Sequence, residues 1–213
     1  MDSVMDTEQI RNGHHRNLAG ACLEDLDLSQ ANLQGANLAG SKLVGTNLQG
    51  ANLEGACLDG ANLMGCQLNQ ANLRANGWGV NLLRSNLTAV DGRGANLRGG
   101  NLMGVQASQS VFSGAFLNGA NLGTANLQGV DLRGADLRGA NLTQANLQGA
   151  DLRGANLEGA ILIEANLEEA DLQGANLCGA NFTRANLLCA DLEQVTHAGA
   201  TFNGACMKGT ILD

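Results

Sequence analysis

From Arg16 onward the chain repeats every five residues, and that period belongs neither to the helix (3.6) nor to the flat strand (2). The frames read RNLAG, ACLED, LDLSQ, ANLQG, ANLAG, SKLVG. With the middle residue called i, twelve units run to residue 75 without a break, each centred on Leu. Residues 76–79 (NGWG) interrupt the frame. A second run of 26 units starts at Val80. Over all 38 units the centre is Leu 31 times, Phe three times (Phe112, Phe182, Phe202) and Met once (Met207). Gly92, Ala107 and His197 are the exceptions.

Such a chain must turn once per unit. Glycine stands at i+2 in 24 of the 38 units. A type II turn needs φ > 0 at that place, which glycine adopts without steric cost. Each unit is therefore a very short strand and a corner, with i and the usually small i−2 residue pointing inward. The i−1 residue, mostly Asn or Asp, is expected to stay exposed and to bond local backbone at the corner. The departures from glycine give the coil. Asp25, Arg84, Thr124, Gln144, Glu164 and Arg184 share one phase, and the phase before it holds only glycine. Exceptions that recur every four units imply four sides and about 20 residues per coil. The glycine-only corners are expected to hold type II turns, and the other column a different turn type. In this phase residues 76–79 form one whole side, so the chain has a 19-residue coil with one residue deleted at 76–79.

The runs ANLQGADLRGANLEG (146–160) and ADLQGANLCGANFTRANL (170–187) resemble the A(D/N)LXX pattern of the pentapeptide-repeat family. The resemblance covers residues 16–213. It implies an all-β fold, a right-handed quadrilateral parallel β-helix, here of about ten coils at ~4.8 Å each. Four sides follow from the glycine phase; the handedness comes from the resemblance. Residues 1–15 are expected to form a short N-terminal cap, with a helical turn from Asp6 to Arg11. The repeat itself runs to the last residue, so the C-terminal coil is expected to pair with a second copy in a homodimer.

Composition limits the chemistry. Aromatic residues are 2% of the chain and the formal net charge is −8. Residues 1–75 hold eight acids and four bases, 76–140 three and five, and 141–213 nine and three. An acidic chain is a poor direct ligand for phosphate backbones. No apolar run is long enough to span a bilayer, and residues 1–15 lack the plan of a signal peptide. The six scattered cysteines show no metal or disulfide spacing. A reduced, cytoplasmic protein without cofactor, catalytic residues or metal ligands is expected. His14-His15 reads as part of the cap, and His197 as the mark of a distorted coil near the C-terminus.

The expected function is a non-enzymatic structural or interaction module that presents flat faces to a protein partner. Sequences of this style, rich in ANLQG and ADLRG, are abundant in cyanobacteria. The candidate contacts are Trp78, Arg133, Arg153, Glu164 and Glu193. Arg133 and Arg153 share a column that continues to Gln173 and Glu193; Glu164 lies between Gln144 and Arg184. Trp78 is read as outward or bulged, an aromatic anchor for a partner. The other reading turns its ring inward, into space left by Gly92 and Ala107. A second functional reading comes from the branch of the family that resembles B-form DNA and binds gyrase or topoisomerase IV in its place. Net charge and the acidic last third fit that reading. The basic waist (Arg84, Arg93, Arg98, Arg133, Arg138) and the lack of long protruding loops do not.

Overall fold

A computed structural model describes residues 7–212. Residues 1–6, with the first part of the expected cap, lie outside the described residues, as does Asp213. The i−1 residues pair in parallel with those one coil on: Asn17 with Asn37, Asn37 with Cys57, and so on to Asn186 with Cys206. Four such columns run along the molecule and define four faces. Face 1 contains Asn17 and Asn37, face 2 Cys22 and Lys42, face 3 Asp27 and Asn47, face 4 Asn32 and Asn52.

Each column is a ladder of backbone hydrogen bonds. The Leu18 amide donates to the Asn37 carbonyl at 2.7 Å, and the Asn37 amide donates back to the Arg16 carbonyl at 2.7 Å. Within the coil, the Ala21 amide donates to the Leu18 carbonyl at 3.0 Å, which closes the corner turn. Leu at i and the small residue at i−2 are buried along nearly the whole length. A fully buried Leu contributes about 2 kcal/mol. The few polar residues in inward slots satisfy themselves against the ladder: Thr46 Oγ1 donates to the Leu23 carbonyl at 2.7 Å and Ser85 Oγ to the Leu63 carbonyl at 2.6 Å.

Apart from the corner after residues 71–74, every described corner has positive φ at i+2, whether glycine stands there or not. Thirteen non-glycine residues have positive φ, and every one stands at i+2. Asp25 (55°), Arg84 (55°), Thr124 (55°), Gln144 (57°), Glu164 (57°) and Arg184 (59°) are among them. Closure of the coil by four-residue turns demands a left-handed residue at i+2, and packing imposes it on side chains that disfavour it. Thr124 is the most strained by type, since a β-branched residue suffers most at positive φ. Thr124→Gly is therefore expected to stabilise the protein by about 1 kcal/mol, read as a higher urea midpoint at unchanged slope.

The short coil is present, but its missing residue lies elsewhere than expected. Cys57 pairs with Asn76, Asn62 with Asn81, Gln67 with Asn86 and Asn72 with Asp91, all 19 apart; from Asn76 to Asn96 the interval is 20 again. Ala75, expected at a corner, is buried in an inward slot, and Gly77 takes the centre, donating to the Asn96 carbonyl at 2.7 Å. Residues 75–79 (ANGWG) thus form a complete unit, and the four-residue side is 71–74. Its corner is closed by Ala75 donating to the Leu73 carbonyl at 2.8 Å, a three-residue turn in place of a four-residue one.

At the N-terminal end helix α1 (Thr7–Arg11) buries Ile10 completely. The Arg11 carbonyl accepts from the Asn32 amide at 2.8 Å, taking the place of a preceding coil. At the other end His197 is exposed although its unit is regular. The Ala200 amide donates to the His197 carbonyl at 3.0 Å and Gly199 has φ 73°. The expected distortion is absent; His197 is exposed because no further coil of the described residues lies over it. Phe202 stacks on Phe182, ring centroids 5.1 Å apart, and is only partly buried.

Candidate interaction surface

The outer faces differ in chemistry because each presents two columns, i−1 and i+1. In the i−1 column the Asn side chains form their own ladder. Asn101 Nδ2 donates to Asn81 Oδ1 at 3.2 Å, and Asn81 Nδ2 to Asn62 Oδ1 at 2.9 Å. The same oxygen accepts the i+1 amide, as Asn81 does from Leu83 at 3.2 Å. Asn81 thus holds its corner and its neighbours at once.

Beyond Glu24 and Lys42 at its N-terminal end, face 2 carries no charge at i−1 or i+1. Its i+1 column runs Glu24, Val44, Met64, Leu83, Met103, Gly123, Thr143, Ile163, Thr183, Asn203. Met64 and Met103 are exposed, as is Ile161, which replaces Asn in the i−1 column. On face 1, next to it, Trp78 occupies i+1 with 64% of its surface exposed. Its amide donates to Asp59 Oδ1 at 2.8 Å in the preceding coil. Arg98 follows Trp78 in the column. Its guanidinium lies 4.2 Å from the ring centroid of Phe116, and its Nε and Nη1 donate to Asn118 and Asn96 at 3.0 and 3.1 Å. Phe116 is itself exposed. The inward alternative for Trp78 does not hold: the space over Gly92 is filled by the ring of Phe112.

Face 4 holds most of the ion pairs. Arg133 Nη2 lies 2.7 Å from Asp131, and its Nε lies 3.5 Å from Asp151. Arg153 repeats this with Asp151 at 2.5 Å and Asp171 at 3.3 Å. Gln173 Nε2 donates to Glu193 at 3.4 Å. Glu164, at a corner after face 2, accepts from Gln144 at 2.9 Å and pairs with Arg184 at 3.4 Å. Of the five residues singled out by sequence, Arg133, Arg153 and Glu193 share one column; Trp78 and Glu164 stand apart from it. Phe116, Met64, Met103 and Ile161 escape the sequence, and Arg98 stands out there only as part of the basic waist. The signal was available, because Phe116 and Ile161 break the Asn/Asp rule at i−1 as visibly as Gly92 breaks the Leu rule at i.

The hydrogen bonds from Arg133 and Arg153 hold the carboxyls of Asp131 and Asp151 below the usual range, and Arg93 and Arg138 do the same for Asp91 and Asp136. A carboxyl lowered in the folded state stabilises it above the unfolded pKa and ceases to do so as pH falls through the folded one. Stability is therefore expected to stay level down to about the ordinary carboxyl value of 3.8 and to fall below it. Thermal melts across that range check this; an Arg133→Gln/Arg153→Gln variant should show a shallower acid loss.

Among the described residues no group of three His, Cys, Asp or Glu is placed to hold a metal ion, and no helix is long and apolar enough to cross a membrane. Cys66 is buried with its thiol against the Leu43 carbonyl at 2.8 Å, and burial pushes it up to about 12. That thiol is unreactive at neutral pH.

Comparison with known proteins fits this geometry. A family model described as pentapeptide repeats matches residues 17–50, 46–75, 78–105, 108–144, 120–159 and 160–196. HetL from the cyanobacterium Nostoc sp. strain PCC 7120, described as involved in heterocyst differentiation regulation, is 32% identical over 92% of this chain and 89% of its own, with a TM-score of 0.37. Rfr23 from the cyanobacterium Cyanothece 51142 is 35% identical over 51% of this chain and 64% of its own, with a TM-score of 0.34. QnrB1, a plasmid-mediated fluoroquinolone resistance protein, is 19% identical over 89% of each chain, with a TM-score of 0.55, a likeness of fold. No curated protein matches significantly.

Proposed function

The chain belongs to the pentapeptide-repeat family, whose fold is a right-handed β-helix, and from that premise we propose that it is a non-enzymatic interaction module that binds a protein partner across faces 1 and 2. One observation carries this reading. Among the described residues, the exposed large apolar side chains Met64, Trp78, Met103, Phe116 and Ile161 all lie on those two adjoining faces, and the other two, Ile211 and Leu212, are at the C-terminal end. Aromatic residues and arginine dominate the energetics of protein interfaces, and methionine adapts to an irregular partner. The surface is centred on the coil shortened at 71–74, with Trp78 as its anchor. A Trp78→Ala/Met103→Lys variant is expected to lose the partner that wild type captures from a native extract. A face 3 control, Gln128→Lys/Gln148→Lys, should retain it. Retention by both variants would sink the assignment of the surface.

The reading extends to a cytoplasmic protein, supported by six unpaired cysteines. It also includes a homodimer through the C-terminal coil, supported by Phe202 and Met207, apolar residues of that coil that are only partly buried. Light scattering at micromolar concentration should give twice the 21.9 kDa chain mass; a monomer rejects the dimer. The gyrase reading is the weaker one. A phosphate mimic needs unneutralised acid, whereas Asp131, Asp136 and Asp151 each carry a guanidinium within 2.7 Å. A supercoiling assay with gyrase and quinolone is expected to show neither inhibition nor protection.

A further inference from the structure

Face 4 carries a ladder of Asp at i−1 and Arg at i+1. Each complete rung ties two coils together, because its Arg spans its own Asp and the Asp of the next coil, as Arg133 spans Asp131 and Asp151. One rung is absent. Between Asp91/Arg93 and Asp131/Arg133 the coil offers Val111 and Ser113 instead. Arg93 consequently pairs with Asp91 at 2.7 Å and with no second carboxylate among the described residues. Asp131 receives Arg133 and no guanidinium from the coil before it. What remains is an open notch of about 350 Å³, lined by Asp91, Arg93, Val111, Ser113, Asp131 and Arg133. Its floor is the half-buried Val111 and Ser113.

We propose that this notch receives the missing rung from a partner: an extended acidic-X-basic segment of another protein, with its carboxylate against Arg93 and its guanidinium against Asp131. The complementarity is two-sided. A lone anion would satisfy Arg93 and leave Asp131 half-paired; a lone cation would do the reverse. Neither host group needs reorganisation, since Arg93 Nε and Nη2 are held on Asp91 at 2.9 and 2.7 Å and Asp131 is held by Arg133. Exposed ion pairs add little affinity each, so the notch sets register and orientation within a larger contact. It lies beside the apolar surface, because Ser113 and Phe116 flank the same corner of one coil.

The test needs no natural partner, so it stands or falls apart from the face 1 and 2 reading. The probe is the peptide Ac-Ala-Asp-Leu-Arg-Gly-NH2, titrated to millimolar concentration at low salt into 15N-labelled protein. Saturable shifts are expected at the Arg93 side-chain Nε–H and the Ser113 and Asp131 amides, and nowhere on faces 2 and 3. The Val111→Asp/Ser113→Arg variant supplies the rung internally; it should melt at a higher temperature and lose those shifts. Arg93→Gln, which leaves the backbone untouched, should lose them too, and stands in if the double variant does not fold. Absent or non-saturable shifts, shifts that survive in the variants, or equal shifts with acetate alone would each overturn the proposal.

Discussion

Gly92→Leu is expected to be among the most damaging single changes in this protein, and Phe112→Leu in the same chain is expected to reverse most of the damage. Gly92 and Phe112 are the centres of consecutive coils on face 4. Phe112 is buried, and its ring lies over Gly92 so closely that a Cβ on Gly92 would overlap Cδ1 and Cε1. The φ of Gly92 is not in the left-handed region, so leucine meets no backbone penalty there, only the ring. A whole isobutyl group cannot fit, because the cavity nearby, lined by Ala107 and Phe112, holds only about 10 Å³. Overpacking of this kind costs about 3 kcal/mol or more. Phe112→Leu alone leaves a void over Gly92 and should cost about 1–3 kcal/mol. Together the two leucines restore the stack found at most other centres, so the double variant should come within about 1 kcal/mol of wild type. Urea unfolding of the four proteins closes the cycle; strictly additive losses would mean that the two residues do not share one slot.

That pair also shows what the sequence could and could not reveal. The period of five, the phase of four units and the net loss of one residue are all written in the spacing, because they follow from covalent counting. The inward or outward sense of one residue beside an interruption is not. Gly92, Ala107 and Phe112 are visible as odd centres, but their compensation depends on which coils they stack in. The inward reading of Trp78 failed for that reason: the space at Gly92 already had an occupant in Phe112. The corners make the point in another way. Arg84 and Glu164 disfavour positive φ by themselves, and only closure of the square forces it on them. The Asp-X-Arg pairs on face 4 were legible as a motif, for Asp131 and Arg133 are two apart on one outward side. Their geometry, with each Arg across two coils, required the ladder.

The second large effect locates the missing residue. Ala75→Asp is expected to cost about 4 kcal/mol or more, because Ala75 occupies an inward slot with no partner for a charge. Had Ala75 been the corner residue of unit 71–75, the same change would resemble Ala89→Asp. Ala89 is an exposed corner with φ 56°, and aspartate there should shift stability by no more than about 0.5 kcal/mol. The comparison isolates burial from helix or strand propensity, since neither residue lies in an extended element. An insertion gives the complementary test. A glycine added between Arg74 and Ala75 turns 71–79 into ANLRG-ANGWG, two full units with a four-residue turn between them, and should be tolerated. A glycine added between Gly77 and Trp78 lengthens a complete unit to six and displaces every inward residue after it until the frame recovers. The first protein should melt near the wild-type temperature and the second far below it. The reverse order would put the short side back at 76–79. Trp78, with its surface exposed beside Arg98, owes its place to the answer: with the deletion at 71–74, the unit ANGWG is whole and its fourth residue faces outward.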